Sequence, residues 1–205
     1  MANVGDVITN PVTGEQLTFL KTAQMTNGEL LQFDLTVRPH GFVLTEHTHP
    51  HQEERFKLLA GALQMRVNGR EQVVRTGQEV AVPPGVPHAW WNAGDEAAHL
   101  IVEFRPALNA ETLFETLFGL ARDGKTDKQA RPNPWQFAVI VQAFSKEAQP
   151  ARLMDKLLLG TLLPILATIG RLLGYRAVYP AYTSVAQPAG AQAADLDQLT
   201  VTNAQ

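Results

Sequence analysis

The stretch GFVLTEHTHPHQEERFKLLAG, from Gly41 to Gly61, places three histidines and two adjacent glutamates within eight residues. Imidazole and carboxylate side chains together are typical ligands of divalent transition metals, and the lack of thiolates argues against a structural zinc finger. His47 and His49 are two residues apart, so on an extended segment both side chains point to one face and can bind the same ion. The stretch therefore predicts a metal site built on β-structure.

The strand that follows decides which of the two glutamates joins the histidines. Phe56 and Leu58 are apolar, whereas the residues that alternate with them are charged, as expected for a strand with one buried face. Glu54 shares the alternation of Phe56 and Leu58 and so points into the interior, while Glu53 points to solvent. A carboxylate in an apolar interior is costly unless it is paired or bound to metal, so Glu54 is the predicted third ligand.

A second segment, from Gly77 to Asn92, supplies a fourth candidate ligand. The sequence PPG at 83–85 predicts a tight turn that brings the chain back, and His88 follows three residues after this turn. By the same alternation His88 and Trp90 face one side, which places a candidate ligand beside an aromatic wall.

Short strands separated by turn residues account for most of residues 1–106. Apolar and polar residues alternate at 31–37 and again at 63–68, and the Asn-Gly pair at 68–69 is a typical hairpin turn. Strands at this spacing predict an all-β barrel or sandwich.

The character of the chain changes after Pro106, where longer apolar stripes replace the alternation. These stripes predict a helix at 109–121, a second at 135–145 and a third at 151–173. The third is expected to be kinked or split at Pro164. From residue 184 onward the chain is rich in Ala, Gln, Gly and Pro, which predicts a flexible tail.

Both histidine-containing segments resemble the two sequence motifs of the cupin superfamily, with every specified position present. The first motif is carried by Gly41, His47, His49, Glu54 and Gly61. The second motif is carried by Gly77, Pro83, Gly85, His88 and Asn92. The chain thus resembles a small single-barrel bacterial cupin, and the helices lie outside the part that the resemblance covers.

The resemblance implies an all-β fold, the cupin double-stranded β-helix or jelly-roll barrel, and the apolar stripes after Pro106 add a C-terminal α-helical extension. Residues 1–27 would form N-terminal strands of the barrel, and residues 28–106 the barrel core with both motifs. Residues 107–183 would be the extension, packed on the barrel or across a dimer interface, and residues 184–205 the flexible tail. Cupins commonly dimerise through their sheets, so the resemblance also implies a homodimer.

The metal site implied by the resemblance holds one divalent transition metal through His47, His49, Glu54 and His88. The ligand types suit Fe, Mn, Ni, Cu, Co or Zn without selecting among them, and an octahedral ion would keep two positions for water, O₂ or substrate. His51 is a further candidate, as an alternative ligand or a proton carrier, unless it is simply a solvated residue at the rim.

A pocket for a small-molecule substrate is expected beside the metal. The candidate lining residues are Phe33, Phe56, Met65, Trp90 and Phe104. The alternative is that these apolar side chains only fill the core of the barrel. The favoured function is a metal-dependent dioxygenase acting on a small enol, diketone or phenolic molecule. A redox-neutral isomerase, lyase or cyclase and a non-catalytic small-molecule-binding protein are the alternatives, because one fold carries many functions.

Composition excludes several other classes of protein. The chain has 205 residues, a formal net charge of -3 and no cysteine, which argues against disulfides, thiolate chemistry and the basic surface of a nucleic-acid-binding protein. Its first residues lack the basic and apolar regions of a secretion signal. The uncharged run at 157–169 is shorter than the ~18 residues that usually span a bilayer. A cytoplasmic protein without membrane or nucleic-acid partners is therefore expected.

Overall fold

The computed structural model describes residues 2–43, 45–151 and 153–183, which form eleven β-strands and three α-helices. The tail predicted at 184–205 lies outside the described residues. The strands are β1 (Val7–Asn10), β2 (Glu15–Lys21), β3 (Leu31–Val37), β4 (His47–Thr48), β5 (Glu53–Ala60), β6 (Ala62–Val67), β7 (Arg70–Arg75), β8 (Glu79–Val82), β9 (His88–Trp91), β10 (Ala98–Arg105) and β11 (Gln149–Pro150). The helices are α1 (Ala110–Arg122), α2 (Pro134–Ala143) and α3 (Leu153–Leu172).

The strands form two antiparallel sheets, which confirms the predicted jelly-roll architecture. One sheet has six strands in the order β1-β2-β3-β10-β5-β8, and the other has five in the order β11-β4-β9-β6-β7. Strands that are neighbours in space come from distant parts of the chain, since β10 lies between β3 and β5. The protein is therefore mostly β, with a helical region after the barrel.

Gly61 marks the point where the chain passes from one sheet to the other, between β5 and β6. Its backbone φ is +77°, and a Cβ at this position would lie 2.8 Å from the carbonyl oxygen of Ala97. Glycine has no Cβ and adopts positive φ readily, so it alone avoids both conflicts. The glycine that closes the first motif is thus required by the sheet-to-sheet connection.

The interior between the sheets is filled by the apolar residues that alternate along the strands. On β3, Leu31, Phe33, Leu35 and Val37 are buried, and the residues between them are more exposed. Burial of each large side chain of this kind contributes roughly 1.5–3 kcal/mol. The barrel is therefore a packed scaffold, and side chains that face its remaining interior space are held in place by their neighbours.

The helical extension packs back onto the barrel. Helix α1 contributes Ala110 and Phe118 to the barrel core, and α2 packs on α3 around Val139 and Ala167. The two residues of β11 pair with β4, so a segment from the extension becomes the edge of the five-stranded sheet. The extension is therefore joined to the strand that carries the first histidine of the cluster.

Helix α3 is continuous through Pro164, so of the predicted kink or split the split is wrong, and the kink stays a prediction. Its apolar surface is also more exposed than its composition suggests, since Leu162, Ile165 and Leu172 are 49, 58 and 83% exposed in the single chain. Among the described residues, no helix is both long enough and apolar enough to cross a bilayer. The homodimer stays a prediction.

Candidate metal centre

The four candidate ligands lie on strands of both sheets and meet inside the barrel. His47 on β4 is the direct partner of His88 on β9, which places two imidazoles side by side in the five-stranded sheet. His49 follows β4 by one residue, and Glu54 projects from β5 in the six-stranded sheet. Alternation on β5 buries Glu54 and leaves Glu53 at the surface with Arg55, as the sequence predicts.

The donor atoms of these four side chains all lie within 4.8 Å of one another. His88 Nε2 lies 2.7 Å from Glu54 Oε2, and His49 Nε2 lies 3.2 Å from the same oxygen. His47 Nε2 lies 3.1 Å from His49 Nε2. His49, Glu54 and His88 are buried, whereas His47 is half-buried and forms the open side of the cluster.

The second ring nitrogen of each histidine contacts a backbone carbonyl oxygen. The Nδ1 atoms of His47, His49 and His88 lie 2.8, 2.6 and 3.1 Å from the carbonyl oxygens of Thr45, Glu147 and Val86. A carbonyl only accepts hydrogen bonds, so each Nδ1 carries the proton. In the neutral imidazoles every Nε2 therefore presents its lone pair to the same point, and this is the arrangement that holds metal-binding histidines in one tautomer.

This arrangement fits a divalent cation. Two neutral imidazoles that face each other with lone pairs at 3.1 Å repel unless a positive charge lies between them, and the Glu54 carboxylate adds negative charge to the same point. Three neutral imidazoles and one carboxylate, without thiolates, suit the first-row transition metals. The cluster could therefore bind a metal ion, and the donor set does not select which one.

The pKa values of the cluster follow from burial and mutual contact. Burial alone would raise the pKa of Glu54, but the adjacent His49 and His88 hold it well below its usual range. Burial, together with His49 and His88, holds the pKa of His47 well below its usual value. Burial opposes charge on His88 too, but its hydrogen bond to Glu54 outweighs this and raises the His88 pKa. At neutral pH, His47 and Glu54 are thus in the forms that bind metal, whereas His88 would release the proton on Nε2, shared with Glu54, when an ion binds.

The helical extension completes the surroundings of His49, which sequence reasoning missed. The carbonyl oxygen of Glu147, just before β11, accepts the hydrogen bond from His49 Nδ1. The buried side chain of Glu147 is itself fixed, because its Oε1 accepts hydrogen bonds from the backbone N and the Nδ2 of Asn109 at 3.1 and 3.0 Å. One residue of the extension thus orients a ligand of the cluster and anchors the start of α1.

Replacement of Glu147 by alanine is expected to weaken metal binding without abolishing it. The carbonyl oxygen remains in the chain, but loss of the contact with Asn109 frees the segment that holds His49 in its tautomer and orientation. Loss of such outer contacts typically lowers metal affinity about 10- to 100-fold. Competition with a metal-binding dye measures the effect, and Lys146→Ala, an exposed neighbour, is the control. Equal affinities of the two variants would contradict the proposed orienting role.

An inner cavity of about 60 Å³ adjoins the cluster inside the barrel. Four of the five side chains predicted to contact substrate, Phe33, Phe56, Trp90 and Phe104, line this cavity. Met65 is fully buried beside Trp90 and lines neither this cavity nor the outer one described next. Contact of these five side chains with a substrate stays a prediction.

An outer cavity of about 150 Å³ lies between the barrel and the helices. It shares Val43, His47, His49 and Phe114 with the inner cavity, so the two spaces meet at the cluster. The rest of its wall is almost entirely apolar and comes largely from the extension: Leu113, Leu117, Phe137, Ile140, Val141, Phe144, Ala148 and Pro150. The sequence predicted apolar helices but not that they enclose a cavity beside the histidines.

Two further ionisable residues, His51 and Glu15, lie near the cluster in sequence or in space without belonging to it. His51 is exposed in the turn between β4 and β5 and lies outside the four-residue cluster, and its catalytic role stays a prediction. Glu15, which the sequence analysis did not select, is buried on β2 and lines the inner cavity. Its alternation with Leu17 and Phe19 is a signal that could have identified it as an inward-facing carboxyl.

Comparison with known proteins identifies the barrel. Residues 33–104 match the family described as Cupin domain, and this part of the chain is a cupin domain with a candidate metal site of three histidines and one glutamate.

Two curated proteins from Streptomyces resemble the chain. Protein SchB of Streptomyces halstedii is 37% identical over 70 residues, which cover 34% of this chain and 50% of SchB. Polyketide synthase CurC of Streptomyces cyaneus is 26% identical over 106 residues, which cover 52% of this chain and 69% of CurC. The chain therefore spans half the length of SchB and about two thirds of that of CurC.

Solved structures with a similar fold include KdgF from Halomonas sp. and an RmlC-like cupin from Shewanella frigidimarina. KdgF has a TM-score of 0.45 and 14% identity, covering 51% of this chain and 89% of KdgF. The Shewanella protein has a TM-score of 0.43 and 20% identity, and the match covers 54% of this chain and 93% of the Shewanella chain.

Proposed function

We propose that this chain is a metal-dependent cupin enzyme, specifically a dioxygenase that acts on a small enol, diketone or phenolic molecule. The observation that carries the proposal is the position of the donor cluster, with His47 and His49 at the junction of two largely apolar cavities. An apolar molecule with an oxygen at one end fits a site of this composition, because its apolar part is buried while its oxygen meets the donors.

The chemistry would be divided between the bound ion and the chain. A divalent transition metal held by the cluster would polarise a coordinated substrate oxygen and, if redox-active, exchange electrons with O₂. The chain positions the ligands through the carbonyl oxygens of Thr45, Val86 and Glu147. The rings of Phe104 and His49 pack edge to face with their centroids 5.0 Å apart, and the aromatic wall would limit the access of water to the donors.

The substrate class is supported by the cavity walls and by one relative. CurC is named a polyketide synthase, and polyketide chains carry carbonyl groups on alternate carbons, which enolise and cyclise to phenols. Such molecules combine apolar carbon skeletons with oxygens that bind metals. The outer cavity, with its walls from α1 and α2, suits the carbon skeleton, and the cluster suits the oxygens.

Oxygen consumption tests the proposed reaction. The purified protein, loaded with Fe(II) without air, is expected to consume O₂ in proportion to product when given a member of a panel of 1,3-diketones and phenols. The Zn(II)-loaded protein is the matched control, because zinc has no redox chemistry and should consume none. A metal-loaded protein that consumes no O₂ with any of these compounds would exclude a dioxygenase acting on this substrate class.

The outer cavity is tested by filling it. Val141 on α2 is half-buried and lines the cavity, so Val141→Phe would occupy space that the substrate needs while leaving the four ligands unchanged. We expect the KM for the best compound of the panel to rise at least about tenfold, while metal content stays the same. Ala143→Phe places the same ring on the exposed end of α2 and should have no effect. Unchanged kinetics in Val141→Phe would place the substrate elsewhere.

A redox-neutral reaction, such as isomerisation, elimination or cyclisation, is the second candidate. The observation that favours it is the name of CurC, because polyketide skeletons are folded into rings by condensations that need no oxidant. In that case the Zn(II)- or Ni(II)-loaded protein would convert substrate under strict exclusion of air. Product formation without O₂ thus separates the second candidate from the first.

A further inference from the structure

The inner cavity contains one ionisable group that the proposed reaction does not use. Glu15 is the first residue of β2, is 9% exposed, and faces inward together with Leu17 and Phe19. It lines the same cavity as His47 and Glu54. It does not belong to the group of donor atoms that lie within 4.8 Å of one another, so it stands apart from the metal ligands.

The hydrogen bonding of Glu15 is incomplete. Its Oε2 accepts a hydrogen bond of 2.5 Å from the hydroxyl of Thr13. The hydrogen bonds found among the described residues involve only this oxygen of the carboxyl group and not Oε1, and no described lysine or arginine lines the inner cavity. Oε1 is not among the fully buried side-chain atoms that lack a partner, so it keeps some accessible surface, and Glu15 lines the inner cavity, where a bound molecule could meet this oxygen.

Burial also changes the ionisation of this side chain. It raises the pKa of Glu15 to about 7, the hydrogen bond from Thr13 opposes the rise, and the charge of Glu54 adds to it. In the metal-free protein a share of the molecules therefore carries a neutral carboxyl group at neutral pH, and in either form the group can accept a hydrogen bond from a hydroxyl. A neutral carboxyl group can donate as well as accept a hydrogen bond, so it can meet a hydroxyl, an enol or a carbonyl oxygen.

A purely structural role explains less of this arrangement. The bond to Thr13 uses only Oε2 and does not account for the second oxygen of the group. The turn before β2 is already stabilised by Asn10, whose side-chain oxygen accepts hydrogen bonds from the backbone N atoms of Val12 and Thr13. Neither contact requires a carboxyl group beside an interior cavity.

We propose that Glu15 binds the ligand directly, through a hydrogen bond to a second oxygen of the molecule whose first oxygen meets the donor cluster. This inference rests on the proposed function and narrows its substrate class to compounds with two oxygens too far apart to chelate one ion. A 1,3-diketone fixed in a ring and a 1,3-dihydroxybenzene meet this description. A ketone or phenol with a single oxygen lacks the second contact.

Two matched probes, resorcinol and phenol, test the proposal on the Zn(II)-loaded full chain by calorimetry without air. They share one ring and differ by one hydroxyl, and the spacing of the resorcinol hydroxyls prevents both from chelating one ion. The wild type is expected to bind resorcinol more tightly than phenol. In Glu15→Leu the resorcinol affinity should fall about tenfold, while phenol affinity changes less than about twofold. Glu15→Gln, which keeps a donor and an acceptor, should stay near the wild type.

Several outcomes would overturn the proposal. These are equal affinities of the wild type for the two probes, an unchanged resorcinol affinity in Glu15→Leu, and equal losses of affinity for both probes in Glu15→Leu.

The test is independent of the proposed dioxygenase reaction, because the Zn(II)-loaded protein performs no redox turnover. Metal content measured in the same samples reports separately on the donor cluster. Should Glu15→Leu not fold, the crystal structure of wild type with resorcinol decides, with a ring oxygen expected about 3 Å from a Glu15 oxygen. A resorcinol that contacts only the cluster would overturn the proposal.

Discussion

Replacement of His49 by alanine is expected to leave the purified protein almost free of metal, whereas the wild type should carry nearly one ion per chain. His49 supplies one of four donors, and its Nε2 lies close to both His47 Nε2 and Glu54 Oε2, at 3.1 and 3.2 Å. Without it the two remaining imidazoles and the carboxylate face a space that admits water. Elemental analysis of protein purified without added metal measures the difference.

The same loss should be visible in stability. An ion that binds only the folded chain stabilises it by about 4 kcal/mol when present at about a thousand times its dissociation constant. Addition of metal should therefore raise the melting temperature of the wild type and have little effect on His49→Ala. His51→Ala is the matched control, because His51 is exposed two residues away and lies outside the cluster. Full metal content in His49→Ala, or its loss in His51→Ala, would contradict the assignment of ligands.

Most of the donor cluster could be predicted from the sequence, because strand alternation determines which side chains face the interior. Glu54 faces inward for the same reason as Phe56 and Leu58, and His47 and His49 share a face because they are two residues apart on an extended segment. The position of His88 beside His47 depends on the pairing of β4 with β9, which alternation alone does not specify. Here the motif resemblance supplied the missing long-range information.

The surroundings of the cluster were less predictable because they depend on contacts between distant segments. Glu147 reaches His49 through a backbone carbonyl, and a carbonyl oxygen leaves no trace in the identity of its residue. The outer cavity depends on how α1 and α2 dock against the barrel, and apolar stripes predict burial but not the partner surface. Glu15 was different, since its alternation on β2 was readable and only its place beside the cavity required coordinates.

The stability of the metal-free protein should respond to pH differently when Glu15 is replaced by glutamine. Burial raises the pKa of Glu15 from 4.5 to about 7, so the folded state holds the proton more tightly than the unfolded chain does. The stabilising effect of this proton is complete below the unfolded pKa and is lost as pH rises through the folded pKa. A shift of this size corresponds to about 3 kcal/mol, since each unit is worth about 1.4 kcal/mol.

The free energy of unfolding of Glu15→Gln, relative to the wild type, should therefore increase by roughly 3 kcal/mol between about pH 4 and pH 8. Glutamine keeps the hydrogen bond from Thr13 but does not ionise, so only the wild type has to bury a charge near Glu54 at high pH. Denaturant titrations at each pH measure the difference, and Glu115, whose pKa is also raised to about 7 by burial, cancels because both proteins contain it. Glu29→Gln, at an exposed position, should show no such change with pH. If the difference in free energy of unfolding between Glu15→Gln and the wild type stays constant with pH, the Glu15 carboxyl group does not occupy a dry interior. Its proposed role beside the cavity would then lose its physical basis.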